Sequence, residues 1–202
     1  TVTTTIDHAP RVSDLLKKSG LNFSLILVQN RGRDMLPFLI AAEHLLATGV
    51  DFALKLHTKK SLHRRDGDTW RRDLLAKLVA GDLGRLADFA MKNDPDVGLV
   101  APAGHILDLD YYWGANEGAV QSLTRRIGLP PVNPRAQTFV SGSMFWVRLA
   151  AIRPLLDVHL LPGDFEPEQG QVDGTLAHAL ERIIQHCVES GGYRTLQLAQ
   201  GT

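Results

Sequence analysis

At 202 residues, with 44% hydrophobic and 22% charged content, the chain has the size and balance of one soluble domain with a real core. Lysine plus arginine (22) equal aspartate plus glutamate (22), and a general nucleic-acid binder would carry a basic excess, so that class is set aside. The single cysteine, Cys187, forbids an intrachain disulfide and fits a reducing compartment, and no long apolar run offers a membrane-spanning helix.

Thr1 to Ile6 is β-branched and suits a strand. Ala9 to Ser19 reads as an amphipathic helix stopped by Gly20. Asn22 to Gln29 is nearly all apolar, as in a strand covered on both faces. It ends in Asn30-Arg31-Gly32-Arg33-Asp34, where Gly32 permits a tight turn and Asp34 can cap the next helix, with Pro37 in its first turn. Such a polar strand end beside a helix N-terminus suits an anion. A plain turn and cap, with Arg31 and Arg33 in solvent, is the alternative.

Asp51 to Ser61 is the stretch around which the rest is arranged. Phe52, Leu54 and Leu56 alternate as in a strand, which empties into His57, Thr58, Lys59, Lys60 and Ser61, followed by His63, Arg64 and Arg65. Ligands of open α/β sheets sit outside the carboxyl ends of the strands, where these cations would meet a phosphate or carboxylate. A solvated basic loop is the bland reading.

Two helices follow, Thr69 to Val79 and Leu83 to Lys92, then an apolar strand from Val97 to Ala101. Pro102 to Asn116 reads as irregular and aromatic. Tyr111, Tyr112 and Trp113 lie near Asp108 and Asp110, a combination that holds sugars or simply underlies a loop. Thr138 to Val147 reads as one strand interrupted by Ser141-Gly142-Ser143, a mark of close approach by a ligand or another backbone. Asp164, Glu166, Glu168 and Asp173 sit in a Pro- and Gly-rich acidic loop, with Asp173 at or near the N-cap of a helix over Gly174 to Glu189. A last strand is expected over Tyr193 to Leu198. The order of elements predicts α/β architecture, with a mostly parallel central sheet flanked by helices.

Cations in the basic loop could hold a diphosphate as it leaves, and a carboxylate of the acidic loop could deprotonate an incoming hydroxyl. That is the equipment of a transferase using an activated sugar. No phosphate-binding loop, nucleophile elbow or zinc signature is present in the sequence.

Four segments, Asn30 to Asp34, Lys55 to Ser61, Gly142 to Trp146 and Glu168 to Arg182, resemble in order and spacing the rhamnan synthesis F family. The resemblance runs from about Thr1 to Tyr193. It implies a glycosyltransferase of bacterial surface polysaccharide with a GT-A-like nucleotide-sugar fold. The donor would be a nucleoside-diphosphate sugar, dTDP- or GDP-rhamnose, and the acceptor a glycan or lipid-linked glycan, met in the cytoplasm at the inner face of the plasma membrane. Family members carry a further strand and helix ahead of the Thr-rich segment. The chain, which starts without Met, is therefore read as one domain, truncated at its N-terminus, from a longer protein with other domains.

On this reading Asn30, Gly32, Arg33, Asp34, His57, Lys59 and Lys60 bind the nucleotide sugar. Trp113, Gly142 and Ser143 help form the sugar or acceptor site. By the resemblance Asp173 is the catalytic base, with Glu168 and Asp164 as substitutes. His57-Thr58-Lys59 stands where many GT-A enzymes carry Asp-x-Asp, so no cofactor is expected to be required, and a Mn²⁺ or Mg²⁺ would bind weakly through other residues. The rival reading is a non-catalytic carbohydrate-binding or scaffold module of a polysaccharide assembly protein.

Overall fold

The computed structural model describes residues 1–58, 67–79 and 81–198. Strand β1 (Val2–Thr4) leads to helix α1 (Ala9–Ser19), strand β2 (Leu25–Leu27), helix α2 (Met35–Ala47) and strand β3 (Phe52–Lys55). Helices α3 (Gly67–Val79) and α4 (Gly81–Asn93) precede β4 (Val97–Pro102) and the short β5 (Ile106–Asp108). Helix α5 (Glu117–Arg126), strands β6 (Thr138–Val140) and β7 (Phe145–Arg148), the single-turn α6 (Arg153–Leu156), α7 (Leu176–Ser190) and β8 (Arg194–Leu198) complete the order.

The mixed α/β class is as expected, but a mostly parallel central sheet is not what forms. The largest sheet has four strands in the order β3-β7-β4-β8. Strand β7 runs antiparallel to both β3 and β4, and only β4 and β8 are parallel within it. Separate two-stranded sheets pair β1 with β2 in parallel and β5 with β6 antiparallel. The cause lies at Ser141-Gly142-Ser143. Gly142 (φ 83°) and Ser143 (φ 53°) both adopt left-handed backbone, which breaks the expected strand in two. Its first half goes to β5, inside the segment expected to be irregular, and its second half turns into the middle of the main sheet.

The main core lies between α2, α5, α7 and the sheet, with Leu36, Leu99, Phe145, Val147, Leu180 and Ile183 all nearly inaccessible. Cys187 is buried there, and desolvation pushes its thiol up to about 12. Helix α7 carries this packing because Leu180, Ile183, Ile184 and Cys187 recur at helical spacing on one face. By contrast, α1 has no buried residue, and Leu27 of β2 is 54% exposed rather than covered on both faces. Among the described residues, no helix is long and apolar enough to cross a membrane.

Candidate active site

A cleft of about 1390 Å³ lies between β1 with the end of β2 on one side, β3 on the other, and α2 behind. Its polar end gathers Asn30, Arg33, Asp34, His57 and Glu168, residues drawn from three separate stretches of sequence. The remainder is largely apolar, with Phe38, Ala42, Leu45, Phe52 and Leu54 among its walls.

A buried charge in the cleft is one that sequence reasoning passed over as a strand residue. Lys55, the last residue of β3, is buried, and its Nζ donates to Asp34 Oδ2 and to the Ser143 carbonyl, each at 2.5 Å. Asp34 therefore does not cap α2, as its position suggested; it makes no cap hydrogen bond. Burial pushes the Asp34 carboxyl up, but the charges of Lys55 and His57 and the Lys55 hydrogen bond outweigh it and lower the pKa to about 2. The signal was the period-two pattern itself: Lys55 stands at the end of an otherwise apolar strand, where an ionised side chain needs a buried partner.

His57 follows two residues later, with Nε2 2.8 Å from the Gly142 carbonyl oxygen. Taking Nε2–H as the donor leaves Nδ1 as an acceptor; it is buried and has no hydrogen-bond partner among the described residues. Desolvation holds the imidazole pKa below its usual range, against the opposing charge of Asp34 and with the help of Lys55. The left-handed Gly142-Ser143 pair thus aims two consecutive carbonyls at His57 and Lys55. A side chain at Gly142 would run into Trp70, and the Gly142 amide donates to Glu181 Oε1 at 3.1 Å. Glu181 is itself paired with Arg182 at 2.7 Å.

Arg33 ties the acidic loop to the cleft. Its left-handed backbone (φ 56°) lets its amide donate to Glu168 Oε1 at 2.9 Å, while its guanidinium donates to the Gln171 carbonyl and lies 3.9 Å from Glu168 Oε2. Gly32 is required beside it: a methyl there would stand 2.6 Å from Leu36 Cβ and 2.7 Å from Phe165. Arg31 does not stand in solvent either; its guanidinium reaches the Phe165 carbonyl at 3.3 Å.

The acidic carboxylates are dispersed. Glu168 lines the cleft. Asp164 accepts the Leu161 amide at 2.7 Å and lies 3.7 Å from Arg126, off the cleft lining. Asp173 is not the N-cap of α7, which is Thr175, and the Leu176 amide in the first turn instead donates to Glu166 at 3.0 Å. Asp173 accepts the Ala115 amide at 2.9 Å and the Asn116 side-chain amide at 2.5 Å. Burial pushes its pKa up, but these bonds prevail and hold it below the usual range. Asp173 thus closes the 3₁₀ turn Gly114–Asn116 and does not line the cleft.

Trp113 packs half-buried against the main core beside that turn. Asp108, Asp110 and Tyr111 border a separate depression of about 500 Å³. Lys59, Lys60, Ser61, His63, Arg64 and Arg65 lie outside the described residues. No group of three or more His, Cys, Asp or Glu able to hold a metal occurs among the described residues. At the polar end of the cleft the Asp34 carboxylate is already paired with Lys55.

The family model for Rhamnan synthesis protein F matches residues 1–193. Two curated relatives, each named Uncharacterized protein WxcX, come from Xanthomonas campestris pv. campestris. The one from strain B100 is 44% identical and the one from strain ATCC 33913 is 43% identical, both over 98% of this chain. The chain spans only 28% of the length of these relatives. No solved structure matches the chain.

Proposed function

The chain belongs to the rhamnan synthesis protein F family, and from that premise we propose that it is the nucleotide-sugar-binding part of a glycosyltransferase building a surface polysaccharide. The single observation behind this reading is the convergence of Asn30, Arg33, Asp34, His57 and Glu168 on one cleft end, beside buried Lys55. Ligands of open α/β folds bind where strands end, and β2 and β3 both end here.

In this reading the donor is a nucleoside-diphosphate sugar carrying rhamnose. Arg33, joined by Lys59 and Lys60, meets its diphosphate. His57, held neutral, offers Nδ1 to a ribose or sugar hydroxyl. The acceptor hydroxyl attacks the anomeric carbon, the carbon–oxygen bond to the diphosphate breaks, and the diphosphate leaves with the bonding electrons. The hydroxyl proton passes to a carboxylate. Glu168 takes that role here in place of Asp173, because Glu168 lines the cleft and Asp173 does not. Lys55 positions Asp34 and the Ser143 carbonyl. No metal is assigned a part, since the charge opposite the diphosphate is supplied by side chains.

A second reading, a carbohydrate-binding or scaffold module without catalysis, draws on the same charges. Lys55 with Asp34 and Arg33 with Glu168 are already satisfied within the protein. A thermal-shift screen against dTDP-, GDP- and UDP-sugars and free oligosaccharides separates the two, because a ligand binding only the folded state raises its apparent stability. A rise with one nucleotide sugar that Arg33→Ala abolishes supports the transferase. A rise with oligosaccharide alone rejects it.

A further inference from the structure

The depression bordered by Asp108, Asp110 and Tyr111 shares no lining residue with the cleft, and its volume of about 500 Å³ is that of a small-ligand site. One wall is the end of β5, where Asp108 and Asp110 are exposed on either side of the fully buried Leu109. The opposite wall is the 133–137 segment, which carries Arg135. Hydrogen bonds fix that segment. The Asn133 amide donates to Gln137 Oε1 at 3.0 Å, and the Arg135 amide donates to Asn133 Oδ1 at 3.2 Å. The Gln137 side-chain amide donates to His186 Nδ1 of α7 at 2.6 Å. The Leu109 amide joins the two walls by donating to the Gln137 carbonyl at 3.0 Å.

The polar groups of this rigid lining are unspent. The side chains of Asp108, Asp110 and Arg135 make no hydrogen bond or ion pair to any described residue. Tyr111 is 84% exposed; its ring meets Tyr112 edge-on at 4.8 Å, and Tyr112 in turn meets the buried Phe139 edge-on at 5.7 Å. The outer ring is thus held by the row behind it while most of its surface faces water. Carboxylates accept from hydroxyls, a guanidinium donates to oxygens, and an aromatic face covers C–H groups, a combination that fits a sugar. Two carboxylates against one guanidinium leave the depression net negative, which disfavours a diphosphate and separates its ligand from that of the cleft.

We propose that this depression is a second site, which binds neutral glycan with Tyr111 as the stacking platform and Asp108, Asp110 and Arg135 as partners of the sugar hydroxyls. The ligand class rests on the reading above, in which the protein builds or holds a surface polysaccharide. Strand β6 links the depression to the cleft: Thr138 lines the one, and Gly142, four positions on, offers its carbonyl to His57 at 2.8 Å. At about 3.3 Å per residue the two positions are no more than about 13 Å apart, within the span of a short oligosaccharide. A glycan held at Tyr111 keeps its growing end near the polar end of the cleft through successive additions.

Isothermal titration of the full-length protein with a panel of neutral oligosaccharides, rhamnose tri- and tetrasaccharides included, tests this. Tyr111→Ala is expected to weaken binding by about 10-fold or more and Tyr111→Phe to keep it, because the ring and not the hydroxyl supplies the platform. The double variant Asp108→Asn with Asp110→Asn is expected to weaken it likewise. All three residues are exposed, so the melting temperature stays unchanged. Any thermal shift with nucleotide sugars is expected to be the same in Tyr111→Ala as in the wild type. Loss of oligosaccharide affinity in Tyr111→Ala supports the site whether or not nucleotide sugars bind, and their failure to bind counts against the transferase reading alone. Wild-type affinity in Tyr111→Ala, or no binding by any oligosaccharide of the panel, overturns the proposal.

Discussion

Lys55 Nζ sits 2.5 Å from Asp34 Oδ2 and 2.5 Å from the Ser143 carbonyl oxygen, joining the end of β3, the start of α2 and the left-handed turn before β7 at one buried charge. Because the partner is a carboxylate with only 19% of its side chain exposed, removing the lysine strands a negative charge. Lys55→Met is expected to cost about 3–5 kcal/mol in a urea titration, whereas exposed pairs such as Lys18 with Asp14 contribute little. An unchanged midpoint would show that Asp34 finds another partner.

The same pair sets an acid limit. The Asp34 pKa is lowered in the fold from 3.8 to about 2, so its contribution is fully present above about pH 5 and is lost as pH falls from about 4 toward 2. Asp34→Asn is expected to flatten the stability-against-pH curve in that window. Parallel curves for the two proteins would exclude Asp34 as the group responsible.

His57 predicts a second, milder pH dependence. Its pKa is lowered in the fold, chiefly by desolvation, so the unfolded chain takes up a proton first as pH falls. Stability from this residue is present above the ordinary histidine pKa near 6.5 and declines as pH falls through the lower folded value. An NMR titration of the His57 ring protons should give a midpoint below the ordinary histidine value of about 6.5.

Two carboxylates compete for the role of base, and they separate kinetically in the full-length protein. Glu168→Gln is expected to reduce kcat by roughly 10²-fold or more with donor affinity kept. Asp173→Asn is expected to act through the 3₁₀ turn, and Gly114→Ala, whose new methyl would collide with the Asp173 carboxylate, should reproduce its loss of stability. If Asp173→Asn abolishes turnover at unchanged stability while Glu168→Gln is active, the assignment reverses.

Metal dependence has an equally direct check. If the proposed reading holds, turnover is expected to survive exhaustive chelation, since Lys55 already pairs with Asp34 at the polar end of the cleft. Activity that chelation abolishes and Mn²⁺ restores would remove this part of the mechanism.

The linear sequence by itself determined the elements and much of the polar inventory. Period-two alternation marked β3, helical spacing marked α7, and Gly32 marked a turn whose backbone tolerates no side chain, all properties of a residue and its near neighbours. It also marked Arg33, Asp34, His57 and Glu168 as site residues, which the fold brings to one end of one cleft. Only the tertiary structure decided the direction of β7, the burial of Lys55 and the removal of Asp173 to a turn. Strand pairing and charge pairing join residues far apart in the chain: 88 positions separate Lys55 from Ser143, and 135 separate Arg33 from Glu168. Local pattern carries no record of which distant backbone or carboxylate each will meet.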